Sequence, residues 1–239
     1  MSYNYSDQLV LPPSAAMVQQ TFESVMQRVY GWMALGLLIT AGVAWFVANS
    51  SLINVIGSNP ILFYVLMFGE LGLVVGISFG INKLSPAMAT GLFFAYAAMN
   101  GLTFAFIFLV YTSASIALTF AATASLFGAM SLIGYTTKMD LSQYGSYLLM
   151  ALLGLIIASV VNIFWANSTL DWILTYVGIL IFLGLTVYDT QRIKRMTTTA
   201  VQQGDSTVIG RVSILGALSL YLDFINLFLR LLRVTGRQR

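Results

Sequence analysis

Residues 212–232 read VSILGALSLYLDFINLFLRLL. At 1.5 Å per helical residue this run is long enough to cross about 30 Å of hydrocarbon. Yet Gly216, Ser219, Asp223, Asn226, Arg230 and, just beyond, Arg233 recur at intervals of three and four. That spacing puts them on one helix face. The other faces are Leu, Ile and Phe. Lipid penalises a polar seam of this kind, so it must look onto protein or water. The segment reads as the central helix of a membrane bundle, wrapped by the rest.

Six more runs of similar character precede it, at 31–48, 61–81, 89–111, 114–135, 145–166 and 172–190. None alternates as a strand does, which argues against a barrel. The fold class expected is an all-α polytopic membrane protein of seven transmembrane helices, the last one central. Composition agrees. With 59% hydrophobic and 8% charged residues, too few polar side chains exist to cover a soluble domain. A net charge of +3 is too small for a nucleic-acid binder. The chain has no Cys and no His, which excludes disulfides and the commonest zinc sites. Pro12, Pro13, Pro60 and Pro86 all lie outside the runs, so the helices are expected to be unbroken.

Three regions follow: a cytoplasmic leader at 1–29, the seven-helix domain at 30–233 and a basic tail at 234–239. The leader lacks the basic start and apolar run of a signal peptide. Val18, Phe22, Val25, Met26 and Val29 recur at helical spacing. They predict an amphipathic helix in the membrane interface, or else a plain extension of the first span. Arg28, Lys83, Lys138, Arg192, Lys194, Arg195 and Arg211 fall on one side, and the loops at 49–59, 112–113 and 167–171 carry no cation. The positive-inside rule then places the N-terminus in the cytoplasm. Trp45, Trp165 and Trp172 fall at the outer boundary, where amphipathic rings sit. The tail's arginines break the pattern if the seventh helix crosses. Crossing is favoured over turning back, because the run is long enough and has no breaker. Gly72, Gly76 and Gly80, then Ala121, Ser125 and Ala129, then Gly154 and Ala158, form small-residue stripes that predict close helix contacts.

Three acids lie within the runs. Glu70 falls mid-second, Asp223 mid-seventh, and Asp189 near the cytoplasmic end of the sixth. Each should face a partner or a cavity. Glu70 could bond a neighbouring helix, Asp189 could pair with Arg192, and Asp223 could bond Asn226 or Ser219. A sharper reading joins Asp189 and Asp223. Two carboxyls in mutual reach cannot both ionise cheaply, so they titrate as a unit. Protonated, they share a hydrogen and hold two helices together. Ionised, they repel and offer hard oxygen ligands to Ca²⁺. One difficulty stands: Asp223 is about 18 Å along its helix from Arg211, and Asp189 only about 5 Å from Arg192.

The stretches 188–191 (YDTQ) and 217–228 (ALSLYLDFINLF) resemble the closing signature of the Bax inhibitor-1 family. VYGWM at 29–33 and FGAMSL at 127–132 resemble its bacterial YccA/YbhL-like branch, and the likeness runs from about Gln27 to Arg233. The resemblance implies a multi-pass protein of the bacterial inner membrane. It also implies a Ca²⁺ leak gated by a di-aspartyl pH sensor, with Asp189 and Asp223 as sensor and tentative Ca²⁺ ligands. Supporting polar groups would be Glu70, Ser219, Asn226, Arg192 and Lys83. The family's arginine eleven residues after the second-helix Glu is Ile81 here, and the nearest cation is Lys83, without a guanidinium fork. No catalytic residue and no cofactor is expected, Ca²⁺ being cargo. The expected partners are the lipid bilayer, Ca²⁺ and, on a second reading, a membrane protease, with the protein a non-transporting regulator of stress survival. Intramembrane aspartyl proteolysis is disfavoured, because glycine-rich flanks are missing around both aspartates.

Overall fold

The computed structural model describes residues 15–204 and 206–239, so Pro12, Pro13 and the start of the leader lie outside it. The helices are α1 (Ala15–Ala48), α2 (Leu52–Ser58), α3 (Pro60–Gly80), α4 (Pro86–Phe104), α5 (Ile107–Val110), α6 (Ser113–Thr136), α7 (Gly145–Trp165), α8 (Ser168–Gln203) and α9 (Ser206–Thr235). Seven of these segments are long and apolar enough to span a membrane, α4 and α5 forming one broken span. The chain is thus a seven-span membrane protein, as its hydrophobic runs require.

Local chemistry fixes the ends. Asn59 caps α3 through Leu62 N (3.1 Å) and Ser85 caps α4 through Met88 N (3.2 Å), each followed by proline. Proline suits the first helical position because no amide is needed there. Thr112 and Asn167 cap α6 and α8 in the same way. Gly204 closes α8 at φ +67°, a left-handed conformation that glycine adopts without a Cβ penalty.

The last helix is central. Of its most apolar 18-residue window, 72% is buried, against 6% for α3 and 11% for α7. It packs against α1, α4, α6 and α8. Ala217, Leu220, Tyr221 and Leu227 are fully enclosed. Tyr221 is locked by its hydroxyl to Thr40 Oγ1 (2.6 Å) and by edge-on contacts with Phe93 and Tyr96. The α3 and α7 helices stand at the periphery, across a cavity from α9.

The tail lies at the end of the bundle that carries Trp45. Thr112 N donates to Arg237 O (3.1 Å) and Arg239 N to Val110 O (2.9 Å), so the seventh helix does cross.

Two expectations change. The apolar face of residues 22–29 is not left for headgroups. Phe22, Val25, Met26 and Val29 are buried in the core, with Phe22 stacked on Tyr135 and under the Lys194 ammonium. Residues 22–29 are part of α1, the plain extension of the first span, and side chains of α6 and α8 cover that face. The small-residue stripes also mislead. A Cβ at Gly72, Gly76 or Gly154 would meet nothing within 4 Å, and Ala121, Ser125 and Ala129 are exposed. Close approach falls instead on Gly101, where a Cβ would sit 2.8 Å from Thr40 O, and on Gly134, where it would sit 2.5 Å from Val187 O. Spacing marks a narrow face, but only the arrangement of helices decides which narrow face is covered.

Candidate functional site

The α8–α9 hairpin sets the site. Ile193 lies against Gly216, and Arg230 against Gly178. In this antiparallel register Asp189 falls beside Ser219, whose hydroxyl faces its carboxyl. Asp223 falls about one turn further along. The depth mismatch seen in the sequence disappears because α8 continues past Thr190 to Gln203 and α9 begins already at Ser206. Both helices run on past their apolar stretches at the basic end.

A cavity of about 890 Å³ lies between α3, α7, α8 and α9, with Tyr96 of α4 on its wall. Its polar lining includes Glu70, Asp189, Arg192, Ser219, Asp223 and Asn226. Asp189 and Asp223 are both buried and near enough to interact electrostatically. Asp189 has a distant ion partner on its own helix, Arg192 Nη1 at 3.9 Å, whose side chain is 53% exposed. Asp223 has less: its Oδ2 is buried with no hydrogen-bond partner. The bonds expected from Asn226 and Ser219 are absent, since Asn226 Nδ2 donates to Leu222 O (2.8 Å) and Ser219 turns to Asp189. A buried carboxyl oxygen left without a partner is costly, and few occur without a reason.

Glu70 accepts from Thr103 Oγ1 of α4 (3.0 Å) while lining the same cavity, which joins α3 to α4 through one bond. Lys83 is not brought to the acids. It is exposed in the turn after α3 and lines no part of this cavity. That turn is fastened by Arg211 Nε to Leu84 O (3.2 Å), and Ile81 is buried among apolar side chains. Among the described residues, the basic group in ion-pair range of these acids is Arg192.

Sequence reasoning missed the rim. Gln191 holds the loop between α6 and α7 by two bonds, donating to Met139 O (2.6 Å) and accepting from Leu141 N (2.8 Å). Arg195 adds an ion pair to Asp140 at 3.2 Å. Ser142, at the end of this loop, lines the cavity and donates to Asp140 through its hydroxyl and its backbone amide. These two bonds, with a smaller contribution from Arg195, hold the Asp140 carboxyl below the ordinary aspartate range. Gln191, the last residue of the YDTQ stretch, was the available signal. On the far side of α8, Tyr30, Ser131 and Thr190 form a hydroxyl chain, with Ser131 Oγ and Thr190 Oγ1 2.9 Å apart.

The fold and the site together define a class: helical membrane proteins whose central last helix carries a buried acid facing a second acid on the helix before it. The chain belongs to the Bax inhibitor-1 family, for the family described as "Inhibitor of apoptosis-promoting Bax1" matches residues 22–239. Among its relatives is the inner membrane protein YbhL of Escherichia coli (strain K12), 48% identical over 235 residues, covering 98% of this chain and 97% of that protein. An uncharacterized protein of Borreliella burgdorferi is 44% identical over 215 residues (90% and 92%), and one of Deinococcus radiodurans is 42% identical over 224 residues (92% and 94%).

Proposed function

We propose that this protein is a pH-sensitive cation leak, with Ca²⁺ as its cargo, in a bacterial inner membrane, and that Asp189 and Asp223 are its sensor. The observation that carries the reading is the unpartnered, buried Oδ2 of Asp223 on a cavity shared with a second carboxyl. With a proton between them, the two acids tie α8 to α9 and carry one negative charge instead of two. Without it they repel, loosen the hairpin and present hard oxygens to a cation. Two carboxylates make a weak calcium site, and among the described residues no group of three or more acidic, His or Cys ligands gathers. Weak binding suits passage, which requires an ion to leave as readily as it enters.

The orientation proposed has the N-terminus, the basic loops and the α8–α9 turn in the cytoplasm, with the C-terminal arginines outside. Arg233 is neutralised there by its ion pair with Asp171, which eases the departure from the positive-inside pattern. The inner-membrane placement rests on the printed name of the YbhL relative.

The deciding experiment reconstitutes purified protein in liposomes and steps the pH across about 6–8, the range open to an interacting acid pair, while Ca²⁺ flux is followed. Flux should change with pH, and Asp189→Asn and Asp223→Asn should each alter the profile. Two variants that keep the parent profile would remove the sensor. Absence of flux at every pH, with a membrane protease co-purifying, would favour the regulator reading instead.

A further inference from the structure

A second cavity, of about 680 Å³, lies toward the Trp45 end between α7, α8 and α9. It shares Ser159, Ile163, Asn226 and Arg230 with the acidic cavity. These four residues form the neck between the two spaces, and Arg230 is the charged one. Its Nη1 donates to Leu174 O (3.2 Å). Its guanidinium lies across Gly178, where a Cβ would sit 3.0 Å from Nε and 3.2 Å from Cζ. An alanine Cβ at 178 would make the guanidinium give way by a few tenths of an ångström. The ion pairs among the described residues are Arg192–Asp189, Arg195–Asp140 and Arg233–Asp171, and Arg230 takes part in none. Its neighbour Arg233, one turn on, is neutralised. The neck therefore holds a guanidinium with no carboxylate in ion-pair range, about 10 Å along α9 from Asp223, while Asp171, on the wall of the outer cavity, is taken by Arg233.

Resting on the leak reading above, we propose that Arg230 is the electrostatic barrier of the cation path and that Gly178 is its seat. A cation moving between the cavities must pass the guanidinium, and the repulsion grows with the charge of the ion. A divalent ion is held back more than a monovalent one, so this residue sets the rate and the charge preference of the leak. Arginine keeps its proton at every accessible pH. The barrier is therefore independent of the acid pair: the pair decides when the inner cavity is charged, and Arg230 decides how fast cations cross its far end.

The test uses the full chain in liposomes and exploits the absence of native cysteine. The thiol of Ser159→Cys is titrated from the Trp45 side with cationic and anionic methanethiosulfonate reagents of matched size. The anionic reagent should react several-fold faster. Adding Arg230→Gln should erase the preference and Arg230→Lys should keep it. In flux assays Arg230→Gln should raise Ca²⁺ passage more than K⁺ passage. Gly178→Ala should move Ca²⁺ flux in the same direction without removing a charge, which covers the case of an unstable Arg230→Gln. Equal reagent rates with Arg230 in place, or unchanged flux in both Arg230→Gln and Gly178→Ala, would overturn the barrier while leaving the acid-pair reading intact. Raised flux in Arg230→Gln without any pH response would keep the barrier and discard the sensor. No flux in any variant would defeat both.

Discussion

Replacing Gly134 by alanine tests the packing that holds α8 in register. A Cβ at this position would lie 2.5 Å from Val187 O, 2.9 Å from Thr190 Cβ and 3.1 Å from Val187 Cα. Two of these atoms are backbone and cannot rotate aside. Ordinary contact begins near 3.4 Å, so α6 and α8 must part by roughly 0.9 Å, an overpacking strain of about 1–3 kcal/mol. The same displacement stretches the Ser131–Thr190 hydrogen bond from 2.9 Å to beyond useful range, adding about 1 kcal/mol. Alanine returns about 1 kcal/mol through helix propensity. The net loss is about 1–3 kcal/mol. Gly72→Ala is the matched control, since its Cβ meets nothing within 4 Å and only the propensity gain remains. The two variants should differ by about 3 kcal/mol, or about 6–12 °C in melting temperature for a chain of this size. Thermal unfolding in one detergent, followed by circular dichroism, reads the difference. If Gly134→Ala melts with Gly72→Ala, the close approach of α6 to α8 is wrong.

Two more outcomes follow from the rim. Gln191→Ala removes both bonds to Met139 and Leu141, so amide hydrogen exchange across 139–146 should rise by about tenfold or more, each lost bond being worth about 1 kcal/mol, with little change in α9. The Asp140 carboxyl lies below its ordinary value through Ser142. A depressed folded-state value means its contribution is complete above the unfolded value near 3.8 and is lost as pH falls through the lower folded one. The loop should thus stay docked throughout pH 6–8, and Asp140→Asn should leave any pH response of flux in that range unaltered. A shifted flux profile in that variant would move the sensor from the bundle interior to its rim.

The seven spans were legible because 18 or more apolar residues in a row have few alternatives. The central place of α9 was legible too, since a seam containing Ser219, Asp223 and Asn226 has nowhere else to face. The register of α8 on α9 was not. Residues 191–203 and 206–211 are polar enough to fall outside a hydropathy span, yet they complete the hairpin that brings Asp189 to Ser219. Gly72 and Gly76 look like packing glycines, and Gly134 and Gly101 do not, because a stripe shows only on its own helix and its partner lies far along the chain. Lys83 fell near Ile81 by count but turned outward, held off by a buried isoleucine and by Arg211. Arg230 belonged to the seam by periodicity. Its lack of a counter-ion required knowing that Asp171 was already engaged with Arg233.

The peripheral position of α3 and α7 has a mechanical consequence. Five segments, α1, α4, α6, α8 and α9, interlock and share nearly all the enclosed side chains. The two that close the acidic chamber bury few side chains of their own: Leu66 and Ile77 on α3, Leu155 and Asn162 on α7. Each rests chiefly on one neighbour, α3 on α4 and α7 on α8, so widening that chamber moves two panels against one helix apiece while the frame stays shut. On the leak reading proposed above, a change of charge on α8 and α9 would widen the chamber by moving these two outer helices alone.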